Sequence, residues 1–181
     1  MTVFKITAPE GFDWVLPIDE DDIELLRFDG QPRRSSWTPV KMERLLKDER
    51  GRALRRSDFP SGSGGDMLLL TEKARQALGE SLTPVGELLP LDCGDEILWA
   101  LNVTLLLDVL DQERSELLRS TETGKILRVK KPVFRAGLLD GVELFKLSAM
   151  PRGLIYVTEP FVKRVQASRL QGISFDRVWG D

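Results

Sequence analysis

Residues 153–179, GLIYVTEPFVKRVQASRLQGISFDRVW, constrain the fold more tightly than any other stretch of the chain. Leu154 to Val157 form an unbroken apolar run with β-branched and aromatic members, opened by Gly153 and closed by Thr158. A run this short predicts a strand buried on both faces. Thr158 stands where a helix cap would, its hydroxyl able to accept from the N–H groups of the next turn. Glu159 lies where the helix dipole favours negative charge, and Pro160 is tolerated because the first turn needs no donor there. Phe161, Val162 and Val165 make one apolar face, Lys163, Arg164 and Gln166 the wet one, and Gly172 supplies a stop. Ile173 and Phe175 then alternate with Ser174 and Asp176, and Trp179 continues their face. Arg177 falls on that face as well, so a bulge or a snorkelling stem is expected beside it.

The same grammar occurs earlier. Leu68-Leu69-Leu70-Thr71-Glu72 aligns with Ile155-Tyr156-Val157-Thr158-Glu159. Ala74, Ala77 and Leu78 supply the helix, Gly79 or Gly86 can end it, and Glu87 to Leu91 reads as a strand. The chain therefore carries two strand–Thr-capped-helix–strand units, too few for a solenoid. The fold class expected is α+β, a mixed, largely antiparallel sheet with a few short helices. A chain of 181 residues fits one domain, 1–181, that buries about 70% of its unfolded surface. Within it, 58–181 forms the α+β core and 1–57 an N-terminal portion.

Composition excludes more than it selects. There is no histidine, the residue to which general acid–base work and transition-metal ligation most often fall. Ser–His and Cys–His nucleophile pairs and ordinary zinc sites are thereby excluded, and no metal or cofactor is expected. Carboxylates, Lys, Arg, hydroxyls and the one tyrosine, Tyr156, remain. The single cysteine, Cys93, precludes an internal disulfide and suits a reducing cytoplasm. No apolar stretch is long enough to span a membrane, and the first residues lack the basic and apolar regions of a signal peptide. A net charge of −3 disfavours general affinity for nucleic acid or anionic lipid.

Taken in order, residues 2–6 alternate as an edge or first strand, and Trp14 to Ile18 read as a short strand interrupted by Pro17. Asp19, Glu20, Asp21, Asp22 and Glu24 form the densest acidic run, followed by Ile23, Leu25, Leu26 and Phe28. It reads either as an acidic first helical turn capped by Asp19 or as a negative surface for a basic partner. Trp37 to Leu46 has both strand-like and helical spacing. Lys41 to Arg56 carries seven basic against three acidic residues and reads as a solvated face, since few aromatics are interleaved for stacking on bases. The glycine loop Ser61 to Gly65 enters a strand instead of leaving one toward a helix, so it reads as a surface connection and not a phosphate cradle.

Glu96 to Arg119 is the hydrophobic centre of the sequence. Ile97, Trp99 and Leu101 alternate as a strand, while Leu105 to Leu110 is apolar at nearly every position. If that run is helical, Asp108 and Asp111 lie one turn apart on one face. Such a pair can do acid–base chemistry or hold a hard cation; alternatively each carboxylate caps a turn. Leu127 and Val129 mark another strand, ended by Pro132, and Val142, Leu144, Phe145 and Leu147 a further one.

Asn102-Val103, Asp108, Leu110-Asp111 with Ser115, Phe145-Lys146-Leu147, then Thr158, Phe161, Leu170, Gly172, Phe175 and Trp179 fall in an order that resembles the eleventh immunity-protein family of bacterial polymorphic toxin systems. The resemblance runs from about Asp58 to Trp179, and its motifs are diffuse and largely structural. It implies an α+β fold and a non-catalytic cytoplasmic protein that binds and neutralises a cognate toxin; it implies no catalytic residue. Three readings follow: an immunity-type binding protein, a carboxylate enzyme such as a glycoside hydrolase centred on Asp108 and Asp111, or a structural or regulatory interaction module. Under the first, Asp19, Glu20, Asp21, Asp22 and Glu24 are the expected partner contacts.

Overall fold

The computed structural model describes residues 1–61 and 65–180. In chain order they form β1 (Val3–Thr7), β2 (Trp14–Pro17), a 3-10 turn (Glu20–Leu26), a shorter one (Arg34–Ser36), β3 (Met42–Leu45), β4 (Leu69–Leu70) and α1 (Glu72–Leu82). Then come β5 (Gly86–Cys93), β6 (Glu96–Val103), β7 (Leu106–Leu107), β8 (Glu116–Arg119), β9 (Ile126–Lys131) and a 3-10 turn (Ala136–Leu138). The chain closes with β10 (Leu144–Leu147), β11 (Tyr156–Thr158), α2 (Glu159–Ala167) and β12 (Ser174–Trp179). The class is α+β, with the strands shared among several sheets. A five-stranded sheet has the order β12-β1-β11-β10-β7, a three-stranded one β4-β6-β5, and β2–β3 and β8–β9 form pairs. Among the described residues, the pairings between these strands are antiparallel except β7 on β10.

Three apolar layers hold these sheets together. Leu70, Leu101, Val103, Leu144 and Val157 meet the apolar faces of both helices between the two larger sheets. Leu69, Leu89, Leu91, Leu98 and Ala100, on the opposite face of the three-stranded sheet, pack on Val15, Met42, Leu26 and Phe28. On the far face of the five-stranded sheet, Val3, Phe145, Leu147 and Tyr156 pack on Val109, Leu110, Phe134 and Leu139. The period of two along β10 and β11 explains the partition, because successive side chains enter different layers. The same partition places β1 inside its sheet, between β11 and β12, and not at an edge.

Both units at the strand–helix junctions are present, but only one is capped as the sequence predicts. The Thr71 hydroxyl accepts from the Ala74 N–H at 3.4 Å. Thr158 occupies the corresponding position, yet its Oγ1 donates to the Val142 carbonyl at 2.6 Å. It is buried beside the strand pairing, where a main-chain acceptor lies closer to hand than the helix donors. α2 also stops at Ala167, before Gly172. Arg169 takes the left-handed conformation (φ 54°) just past the helix, while Gly172 is needed where the chain presses on Ser57. In β12 the register slips by one residue between Arg177 and Trp179. This bulge carries Trp179 to the opposite face from Phe175: Phe175 packs edge-on to Phe161, and Trp179 edge-on to Phe134.

Buried charged groups occur in two places. Asp13, wholly buried, accepts from the Ser57 N–H (2.9 Å) and hydroxyl (2.7 Å) and pairs with Arg44 of β3. The Arg44 guanidinium, itself 7% exposed, donates onward to Glu96 of β6 at 2.9 Å. On β10, Lys146 is 2% exposed. Burial pushes its ammonium down to about 8, against the opposing pull of the Asp66 and Asp29 carboxylates.

Removing the Asp13 carboxylate leaves a buried guanidinium with half its partners, so Asp13→Ala is expected to cost about 3–5 kcal/mol in urea unfolding. Lys146 sets a second expectation. Between pH 8 and 10.5 the unfolded chain holds this proton and the folded chain does not, so stability rises with pH by on the order of 2 kcal/mol. Above pH 10 the buried Tyr156 phenol, pushed up to about 12, reverses the slope, because the unfolded chain ionises first. Unfolding midpoints across pH 7.5–11 should therefore pass through a maximum, and Lys146→Met should abolish the rising limb.

Candidate partner-binding surface

The register of β2 on β3 separates two faces. Val15, opposite Arg44, and Pro17, opposite Met42, look inward; Trp14, opposite Leu45, and Leu16, opposite Glu43, look outward. Val15 and Met42 are buried, whereas Trp14 is 46% and Leu16 37% exposed, and the next residue, Ile18, is 64% exposed. The sequence could not separate these faces, because apolar side chains run without a break from Trp14 to Ile18.

Asp19 opens the 3-10 turn with its side chain accepting from the Asp21 N–H at 3.1 Å. The expected capped acidic turn is present, as a 3-10 turn. Leu26 and Phe28 anchor it in the layer beneath β2 and β3. This anchoring presents Asp19, Glu20, Asp21 and Glu24 to solvent, with Asp22 half-buried. Glu24 is partly neutralised by Arg27 at 2.7 Å and lies 3.9 Å from Arg152. The five acidic residues named from the sequence thus share one short turn at the end of an exposed apolar strand face.

Asp108 and Asp111 do not lie one turn apart on a helix. The apolar run leading to them is the two-residue strand β7 followed by irregular chain, because Val109 and Leu110 are drawn into the layer with Phe134. Asp108 is 73% exposed and pairs with Arg135 at 3.2 Å. Asp111 closes a turn, accepting from the N–H groups of Glu113 (3.2 Å) and Arg114 (3.1 Å). Other residues carrying the resemblance are also structural. Asn102 is buried and donates to the Gln31 carbonyl and to Glu87. Ser115 accepts from the Val133 N–H at 2.8 Å, and Phe145 stacks on Tyr156. Of the glycine loop read as a surface connection, residues 62–64 lie outside the described residues.

An open groove of about 660 Å³ runs between β9 and the five-stranded sheet, with Lys5, Lys130 and Arg152 in its wall. Lys5, Lys130 and Arg152 pair with Asp176, Glu116 and Glu24 respectively, and Arg128 also lines the wall. Tyr156 in the same wall is held protonated by burial. The Cys93 thiol beside Arg44 is pushed up by burial, which disfavours the nucleophilic thiolate. Among the described residues no group of three or more Cys, Asp or Glu side chains is placed to hold a metal ion, and no helix is long and apolar enough to cross a membrane. Charged and apolar exposed area adjoin where the acidic turn meets the outward face of β2.

No curated protein matches the chain. The resemblance traced in the sequence from Asp58 is matched over a shorter span, which omits β4, α1 and most of β5. Residues 93–179, from the last residue of β5 to the end of β12, match the model of an immunity protein family, Imm11.

Proposed function

We propose that this chain is an immunity protein that binds a cognate toxin in the cytoplasm and neutralises it by occupancy, with no reaction of its own. The match over residues 93–179 carries the reading. The turn bearing Asp19, Glu20, Asp21, Asp22 and Glu24 is the proposed contact. It lies outside the matched span, as a partner-specific surface can when the matched residues serve the scaffold. An inhibitor must capture its target quickly, and opposite charge raises association rates by steering. Toxins that cleave nucleic acid need cationic surfaces, so an acidic turn would meet the charge their substrate meets. The same negative charge argues against nucleic acid as this chain's own ligand.

The test starts from the reading frames that neighbour this chain's own: a toxin-like product found there is co-expressed with the chain and its binding followed in real time. The wild type should protect cells and co-purify with that product; failure of both overturns the immunity reading. Charge reversal of Asp19, Glu20, Asp21 and Asp22 to Lys should slow association about tenfold or more at low salt and flatten its salt dependence, with a smaller effect on dissociation. Wild-type association by the folded variant would remove the turn from the contact.

A further inference from the structure

We infer that the groove between β9 and the five-stranded sheet takes an extended, acidic segment of another protein, adding it as a strand along the free side of β9. This site goes beyond the immunity reading and does not depend on it. Three observations lead to it.

The first concerns the backbone. β8 and β9 form a sheet of two strands, so β9 is paired on one side alone. Among the described residues, no main-chain hydrogen bond joins residues 127–130 to anything but β8. Those four consecutive residues all line the groove, and Pro132 closes the row. Side chains alternate between the two faces of a strand, so a cleft lined by consecutive residues runs along the strand's side. The unpaired N–H and C=O groups of β9 therefore border the groove. Such a row is a template for a further strand.

The second is the floor. Ile126 and Val129 pack in the layer that covers the far face of the five-stranded sheet. Beside β9 that cover is open, and Leu147, Leu154, Tyr156 and Val178 of the same layer line the groove. A strand laid next to β9 would continue the covering layer and rest alternate side chains on these four. Tyr156 is only 4% exposed, and its hydroxyl has no hydrogen-bond partner among the described residues. Burial holds it protonated, so it remains a donor. A nearly buried donor without an acceptor is unfavourable until an oxygen reaches it, which the carbonyls or carboxylates of an incoming strand supply.

The third is charge. Lys5, Arg128 and Lys130 stand along the groove, with Asp66 as the carboxylate in its lining. Arg128 is exposed and pairs with no carboxylate among the described residues. Glu116 is shared between Lys130 at 3.5 Å and Lys131 at 3.2 Å, so it neutralises one lysine of the two. Lys5 meets Asp176 at 3.5 Å, an exposed pairing that contributes little. Arg152, at the end toward the acidic turn, is engaged by Glu24. With Val129 turned inward, Arg128 and Lys130 flank the solvent side of β9. Carboxylates on the solvent side of an added strand would lie across from them, as opposite charges do in stable cross-strand pairs. A second copy of β9 would set like charges across from each other instead, which disfavours self-pairing here.

The probe is a short acetylated and amidated peptide alternating glutamate and valine, titrated at low salt into the full chain labelled for NMR. We expect saturable binding with a Kd below about 1 mM, shifts centred on residues 127–130 and Tyr156, and amide exchange in β9 slowed about tenfold or more. The lysine–valine counterpart should not bind. Arg128→Glu should weaken binding about tenfold and Tyr156→Phe about threefold, while Arg50→Glu, at an exposed position away from the groove, should stay within about twofold of wild type. If Arg128→Glu melts early, Arg128→Gln decides in its place. No binding below about 1 mM overturns the inference, as does binding that leaves exchange in β9 unchanged. Tighter binding of a short oligouridine that displaces the peptide also overturns it, because the groove then selects a phosphate backbone. None of these outcomes bears on toxin neutralisation, and failure of that reading leaves this site standing.

Discussion

The buried carboxylate of Asp13 is the interaction on which the placement of β2 and β3 depends. β2 and β3 are four residues each, too short to stand alone as a pair in water. Asp13 supplies what the short pairing lacks. It gathers Ser57 from one loop and Arg44 from the neighbouring strand, and Arg44 passes the connection to Glu96 on β6. The chain after Ser57 continues the linkage, since Asp58 exchanges main-chain and side-chain hydrogen bonds with Gln171, accepts from Thr71 and pairs with Lys73. A buried ion pair is a poor source of net stability compared with an apolar replacement, but it admits few alternative geometries. Here its role is to fix where the N-terminal strands sit on the three-stranded sheet.

That placement has a functional corollary. The residues through which the chain resembles an immunity family serve almost entirely to build the scaffold: Asn102 joins a loop to β5, Asp111 and Ser115 shape a turn, and Phe161 fills the layer between the sheets. A scaffold of this kind carries identity in its interior and leaves its surface free to vary. The proposed toxin contacts belong to elements held on that scaffold by Asp13 and Arg44, so specificity could change without disturbing the matched residues.

Much of the fold was legible in the sequence where pattern and chemistry agreed. The alternation from Glu96 to Val103, the break at Pro132, and the two strand-to-helix junctions at Thr71 and Thr158 each carried independent signals. Legibility failed where tertiary context chose between equal local options. Thr158 has two possible partners, and only the approach of Val142 decides between them. The run Leu105 to Leu110 lacks a period, so its conformation is set by what it packs on. Trp179 changes face because of one extra residue in β12, which no local pattern announces. Of the candidate surface, the acidic turn was legible through its charge and cap; the neighbouring apolar face was hidden because a strand apolar on both sides reads as fully buried.

The slip in β12 also bears on what happens at the margins of the five-stranded sheet. An open sheet ends in strands whose unpaired main-chain groups invite other chains to pair, the first step toward insoluble assemblies. Here one margin is β7, only two residues long, and the other is β12, bent by its bulge and bearing exposed Asp176 and Arg177. Neither offers the long, flat, apolar ladder on which edge-to-edge stacking propagates. Margins blunted in this way disfavour the edge-to-edge pairing of one copy of the chain with another.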